Sequence, residues 1–295
     1  MPKTKLKNYL HLHFLVFIWG FTAILGALIH LKAIPLVWYR MFFAVLFVLF
    51  YFLIKKKSLK VDKKGLIKFL ISGTIIALHW IFFFSAIKVS NVSVALVSMS
   101  TGAFFTSLIE PLFFRRRLNP IEFLFGLIII FGLYIIFNVE TQYTLGIIYG
   151  LTASFLSALF TVLNGLYIKQ YRGAVLSFYQ LLFGVLFITF YIFSTSGFTL
   201  IDFSITMSDL VYLLILSSIC TAYAFIASVN IMKHITPFTV MLTINLEPVY
   251  GIILALIIFG NKEKMSPQFY IGGLIILITV LIDGLIRNKK TTIPF

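Results

Sequence analysis

Ten stretches of this chain are apolar over the length that crosses a lipid bilayer, and no other feature limits the fold as much. They cover 11–30, 35–54, 66–87, 92–114, 120–138, 145–168, 174–194, 209–232, 237–260 and 267–286. A hydrocarbon core of about 30 Å takes about 20 apolar residues as a helix. Lipid offers the backbone no hydrogen-bond partner, and a helix satisfies those groups within one segment. Composition agrees, with 61% hydrophobic and 11% charged residues, against about 25% charged in a soluble domain. The links at 88–91 and 169–173 are too short for anything but antiparallel neighbours, and no linker has room for a soluble domain. The expected fold is an all-α integral membrane protein of ten transmembrane helices in one bundle.

The net charge of +15 does not point to nucleic acid. The basic residues sit in short runs between apolar blocks and do not interleave with aromatics along one face. Eighteen Lys and Arg fall on the side of the N-terminus, including Lys55–Lys57, Arg115–Arg117 and Lys233. Four fall on the other side: Lys32, Lys88, Lys262 and Lys264. By the positive-inside rule both termini are expected in the cytoplasm. The first span follows three lysines as a signal peptide would, but it carries part of an internal repeat and so belongs to the mature fold. The one cysteine, Cys220, lies inside an apolar block, so no intrachain disulfide can form.

The repeat organises the chain. Tyr39–Leu53 and Tyr179–Phe193 share seven of fifteen positions without a gap. Phe21-Thr22 with Leu25-Gly26 answers Phe160-Thr161 with Asn164-Gly165, Lys88 answers Lys233, and Leu118-Asn119-Pro120 answers Met265-Ser266-Pro267. The chain therefore reads as two five-helix repeats, 1–144 and 145–295. An odd number of spans inverts the second repeat. The loop after the second span carries six lysines, whereas its counterpart, 194–208, carries none and has Asp202. Sequence repeats while loop charge does not, as opposite membrane faces require. Inverted repeats suit alternating access to a central site. Duplication for structural reasons alone is the plainer alternative.

Several motifs, in order, resemble the EamA-type members of the drug/metabolite transporter superfamily over nearly the whole chain. They are Trp19-Gly20, Tyr39-Arg40-Met41-Phe42, Leu246-Glu247-Pro248-Val249, and the proline-led last helix of each half at Asn119-Pro120 and Ser266-Pro267. The resemblance implies a central cavity lined by spans 1, 3, 4, 6, 8 and 9, and movement of small organic metabolites, often outward. It also implies a multi-pass protein of the bacterial inner (plasma) membrane. The turn after span 4 departs from the family: it reads Phe114-Arg115-Arg116-Arg117 where an acidic residue is common, while Glu263 occupies the corresponding turn of the second half.

Ionisable groups in the bilayer interior cost about 3 kcal/mol or more and each needs a reason. Glu247 lies near mid-membrane, followed by Pro248, which donates no backbone hydrogen bond and should kink the helix. A carboxylate beside freed backbone suits a cation, an ammonium group or a proton. The alternative is a protonated Glu247 bonded to a neighbouring helix, through Asn245 or Thr243. Arg40 sits about five residues inside span 2, toward the outer face, with a stem long enough to snorkel to the interface; a polar donor at the same place in both halves fits packing between the halves better than binding of a substrate carboxylate. Gln180 is its repeat counterpart. His79 and Trp80 in span 3, with Tyr223 near the equivalent place in span 8, are cavity candidates. So are Trp19, Thr22 and Asn164. Ser98 and Thr101 form part of a small polar stretch that serves either helix packing or the cavity wall. Glu110 reads as an interfacial ion pair or gate element, and Trp38 as a belt residue.

Intramembrane enzyme chemistry finds no support in a His-Glu-x-x-His, paired aspartates, a Gly-x-Ser-x-Gly or a phosphate-cradling loop. Rings of charge that would mark a channel are not evident either. The expected function is a secondary transporter, an exporter by preference, of a small organic metabolite such as an amino acid. A nucleotide-sugar or lipid-linked sugar transporter is the alternative within the class. No cofactor or metal is implied. The expected partners are the small-molecule substrate and membrane lipid, with proton coupling through Glu247 and either a monomer or a homodimer. Reporter fusions at both termini test the topology. Fluorescent cytoplasmic reporters should be active at each end, and a reporter active only when exported, working at either terminus, would contradict it.

Overall fold

The computed structural model describes residues 3–115, 120–195 and 203–290. Arg116, Arg117, Leu118, Asn119 and Asp202 lie outside these residues. The described chain is helical, with no strand among the described residues. Its helices are α1 (Lys3–Leu28), α2 (Ala33–Ile54), α3 (Lys63–Val89), α4 (Val92–Met99), α5 (Gly102–Phe114), α6 (Pro120–Val139), α7 (Thr144–Tyr167), α8 (Gly173–Thr195), α9 (Met207–Ser217), α10 (Ala224–Ile231), α11 (Pro237–Ile244), α12 (Glu247–Phe259) and α13 (Pro267–Lys290). Among the described residues, eight segments are long and apolar enough to cross a membrane. Two further apolar helical stretches, Leu124–Val139 and Pro267–Ile282, are shorter. The protein is an all-helical, multi-pass membrane protein.

Two spans are interrupted in the same way. Each runs for eight residues, α4 and α11, before a two-residue break at Ser100-Thr101 and at Asn245-Leu246. At both breaks the hydrogen bonding tightens to the i−3 carbonyl, with Thr101 N donating to Ser98 O at 3.3 Å and Leu246 N to Thr243 O at 3.0 Å. The causes differ. Pro248 has no N–H to offer and occupies the first turn of α12, where that loss is tolerated. In the other span the Ser100 and Thr101 hydroxyls donate to the Val97 and Ser98 carbonyls at 2.6 and 2.7 Å, which competes with the helix ladder. The expected kink at Pro248 is thus a full interruption placed just before it, and it has a twin.

A third irregularity joins α9 to α10, a π-helical segment over Ser218–Tyr223. There the Thr221 hydroxyl donates five residues back, to the Leu216 carbonyl, at 2.7 Å.

Neighbouring helices come mostly from opposite sides of residue 144. α3 packs on α7 and α8, α1 on α12, and α4 and α5 on α7. Glycine allows two of these approaches. A methyl group on Gly272 of α13 would stand 2.8 Å from the Gly132 carbonyl of α6, and one on Gly150 of α7 would stand 2.5 Å from Ser98 Cβ.

Each end of the bundle is tied by contacts between turns. At one end His30 N donates to Asp209 Oδ1 at 2.8 Å, Lys88 Nζ donates to the Ile29 carbonyl, and Ser266 N donates to Glu140 Oε1 at 3.1 Å. At the other end the Tyr171 hydroxyl donates to Asp62 Oδ1 at 3.0 Å and Lys68 Nζ to Gln170 Oε1 at 2.8 Å. These are called the Lys88 end and the Lys233 end below, after the lysines that close α3 and α10.

Two carboxylates cap the interrupted spans reciprocally. Glu263, just beyond α12, accepts from Val92 N at 3.0 Å and Ser93 N at 2.9 Å at the start of α4. Glu110, in the last turns of α5, accepts from Phe238 N at 3.2 Å at the start of α11. Glu110 is therefore a buried helix cap. Helix N-termini carry unpaired N–H groups and a positive dipole end, which a carboxylate satisfies together. Glu263→Ala should lower thermal stability in detergent by about 1–3 kcal/mol, because it leaves buried N–H groups unpaired. An unchanged melting temperature would rule out this role.

Candidate functional site

The interruptions and the π-segment surround one cavity. Its walls come from α1 (Trp19, Thr22), α2 (Arg40), α3 (His79, Trp80, Phe83), α4 (Met99), α7 (Ser157, Phe160, Thr161, Asn164), the π-segment (Cys220), α10 (Phe225, Ser228), Met232, α11 (Val240, Ile244) and α12 (Glu247). The space measures about 700 Å³ with its open mouth included.

Arg40 is the cation of this site. Its side chain is only 2% exposed, so it does not snorkel to an interface as the sequence suggested. α3 supplies the reason: the guanidinium carbon lies 4.0 Å from the centroid of the Trp80 ring and 5.4 Å from that of Phe84. Cation–π attraction of this kind holds a guanidinium where water does not. Arg40 Nε donates to Thr221 Oγ1 at 2.8 Å, so the π-segment provides its polar partner. Nη1 has no hydrogen-bond partner among the described residues. π-Helical turns recur at functional sites, and here the turn sets one side of the cavity wall.

Glu247 is the carboxyl group of this site. It opens α12, lines the cavity, and makes no hydrogen bond among the described residues. It lies close enough to Arg40 for the two charges to interact, yet no ion pair within 4.0 Å joins them among the described residues.

Neutral donors complete the lining. Asn164 Oδ1 accepts from Gln180 Nε2 at 2.7 Å, while Asn164 Nδ2 has no partner. Gln180 lies behind the wall, bonded also to Ser72 Oγ at 2.7 Å, and so fixes which way the Asn164 amide faces. Thr22 Oγ1 lies against the Cys220 thiol and has no oxygen or nitrogen partner among the described residues. Trp19 is pinned by its indole N–H, which donates to the Cys220 carbonyl at 3.1 Å. His79 Nδ1 is 2.8 Å from the Ala153 carbonyl. A carbonyl only accepts, so Nδ1 carries the proton and Nε2 is the free acceptor.

Of the residues expected from sequence, Glu247, His79, Trp80, Trp19, Thr22, Asn164 and Arg40 come together here. Four do not line the cavity. Tyr223 is 45% exposed and its hydroxyl is bonded to His11 Nε2 at 2.9 Å. The π-segment explains this: inward-facing positions step from Cys220 to Phe225, five residues on, before returning to helical spacing at Ser228 and Met232. Ser98 is bonded to the Val94 carbonyl and packed against Gly150. Thr101 lies 2.9 Å from Ser154 Oγ and holds α4 to α7. Asn245 is buried inside the break of its span, with both side-chain amide atoms unpartnered.

Thr161 and Thr221 were missed. Thr161 was legible as the repeat counterpart of Thr22, whereas nothing in the local sequence marks Thr221 as the partner of Arg40.

A polar, charged cavity enclosed by apolar helices is compatible with passage of a small solute across a membrane. The EamA-like transporter family model matches residues 7–138 and 144–283. The chain belongs to the EamA-like transporter family. An uncharacterized transporter of Clostridium kluyveri is 23% identical over 213 residues, 70% of this chain and 67% of that protein. A solved crystal structure superposes with a TM-score of 0.69 over 95% of this chain and 98% of its own, at 14% identity, a likeness of fold alone.

The stacking of Arg40 on Trp80 can be tested directly. Trp80→Leu should weaken binding of an anionic solute group about fivefold or more, since a desolvated cation–π contact contributes about 1–2 kcal/mol. Trp80→Phe should recover part of it, and equal binding by all three proteins would contradict the assignment.

Proposed function

We propose that this protein is a secondary transporter of a small zwitterionic metabolite of the amino-acid type, working by alternating access. The observation that carries the proposal is the pair Arg40 and Glu247, a guanidinium and a carboxyl group that share one cavity with no ion pair within 4.0 Å between them among the described residues. A solute carboxylate placed at Arg40 Nη1 finds a donor that lacks a partner among the described residues. A solute ammonium finds Glu247. The aromatic rings of Trp19, Trp80, Phe83, Phe160 and Phe225 offer an apolar side chain a surface. A polyanion such as a nucleotide sugar would call for several cationic groups, and Arg40 is the one Lys or Arg in the lining.

The mechanism follows from two inverted five-helix halves, 1–144 and 145–295, with ten crossings and both termini in the cytoplasm. The family model's two consecutive matches support the division. So do the paired interruptions at Ser100-Thr101 and Asn245-Leu246, which fall at the same depth in the fourth helix of each half. Location in the bacterial inner membrane, outward transport and proton coupling through Glu247 belong to the same reading.

Transport into proteoliposomes tests it. Arg40→Met should weaken apparent affinity for a transported amino acid about tenfold or more, because a hydrogen bond to a charged group contributes about 1.5–3 kcal/mol. Glu247→Gln should abolish any stimulation by a pH gradient. Unchanged affinity in the first variant and unchanged pH dependence in the second would sink the proposal.

A further inference from the structure

The two halves differ at one contact that sequence repetition says they should share. Lys88 ends α3 and donates from Nζ to the carbonyl of Ile29, the residue that closes α1. The C-terminus of a helix presents unpaired carbonyls and the negative end of its dipole, so an ammonium there is favourable. In the second half Lys233 stands where Lys88 stands in the first, and Ile168, which closes α7, stands where Ile29 does. Lys233 is exposed and makes no side-chain hydrogen bond among the described residues.

Other interhelical contacts appear in both halves. Asp62, at the start of α3, accepts from Tyr171 in the turn after α7, and Asp209, at the start of α9, accepts from His30 in the turn after α1. Glu110 and Glu263 cap each other's interrupted span. Arg40 and Gln180 each bond a hydroxyl on the third span of the opposite half, Thr221 and Ser72. A contact made in both halves at once survives when the halves exchange conformations. A contact made in only one half is broken and remade.

The cavity is asymmetric in the same sense. Thr22 and Thr161 both line it, as do Trp80 and Phe225, and Phe83 and Ser228. Toward the Lys233 end the lining continues to Asn164 and Met232, whereas their counterparts toward the Lys88 end, Leu25 and Ile87, do not contribute. α1 packs on α3, while no comparable packing joins α7 to α10 among the described residues.

From these differences we infer that Lys88 and Lys233 are alternating latches. The Lys88–Ile29 bond closes α1 against α3 at one membrane face in this conformation. In the opposite conformation Lys233 closes α7 against α10 by bonding the Ile168 carbonyl, and Lys88 lets go. The inference rests on the alternating-access reading but not on the identity of the solute.

Cys220 is a built-in reporter, since it is the chain's single cysteine and lines the cavity. A charged, membrane-impermeant methanethiosulfonate is applied to each face separately, in right-side-out and inverted vesicles, with Cys220→Ser as the blank. The unmodified protein should label faster from the Lys233 face. Lys88→Met should raise labelling from the Lys88 face about tenfold, the equivalent of about 1.4 kcal/mol. Lys233→Met should lower it, because the state that exposes Cys220 to that face loses its latch. Lys233 is exposed, so that variant should fold even if Lys88→Met does not. Shifts in the same direction, a shift in only one folded variant, or no shift in either would overturn the inference. Because no solute is added, a failed amino-acid assignment leaves this result intact.

Discussion

A helix that ends or breaks inside lipid has to find its missing hydrogen-bond partner on another helix, since water is not there to supply one. That requirement shapes this bundle at its two interrupted spans. The span of α4 and α5 starts on Glu263, and the span of α11 and α12 starts on Glu110. Each cap comes from the far end of the other span, so neither interrupted helix is complete without its partner. The mid-membrane breaks lie between these anchored ends. The arrangement fixes where α12 begins, and hence where Glu247 enters the cavity.

The same rule brings Arg40 into the interior. A guanidinium in hydrocarbon needs both hydrogen-bond acceptors and a polarisable surface. The π-segment supplies the first through Thr221, and α3 supplies the second through Trp80 and Phe84. Enough of the guanidinium is satisfied to keep it buried, and Nη1 is left over. Glu247 is likewise left without a hydrogen bond among the described residues. Buried polar groups in folded proteins are nearly always paired, so unpaired ones that converge on one cavity point to a ligand that completes them.

Much of this was legible in the sequence because lipid imposes a simple rule on span length. The apolar stretches, the short turns and the Glu247-Pro248 step could be read without coordinates. Depth could be read too, by counting residues into each span. Rotation could not. Packing of Arg40 between the halves was expected from Gln180, its repeat counterpart, but its partners Thr221 and Trp80 come from helices distant in sequence and could not be named. Tyr223 was chosen for its place near the repeat equivalent of His79 and Trp80, and the π-segment turned it outward. The break at Ser100-Thr101 has no proline to announce it, and hydroxyls bonding back to the helix achieve the same interruption. The Glu110 and Glu263 caps each join residues more than 100 positions apart, beyond the reach of local pattern.

The central claim is that the cavity recognises a positive and a negative group on one small solute. Counterflow from proteoliposomes loaded with a transported amino acid tests it most directly, with three competitors: the same amino acid, its decarboxylated amine and its deaminated acid. The account predicts strong competition by the zwitterion and at least about tenfold weaker competition by each analogue, as loss of one charged contact implies. Equal competition by the amine or the acid, or preferential competition by a polyanionic sugar nucleotide, would contradict it.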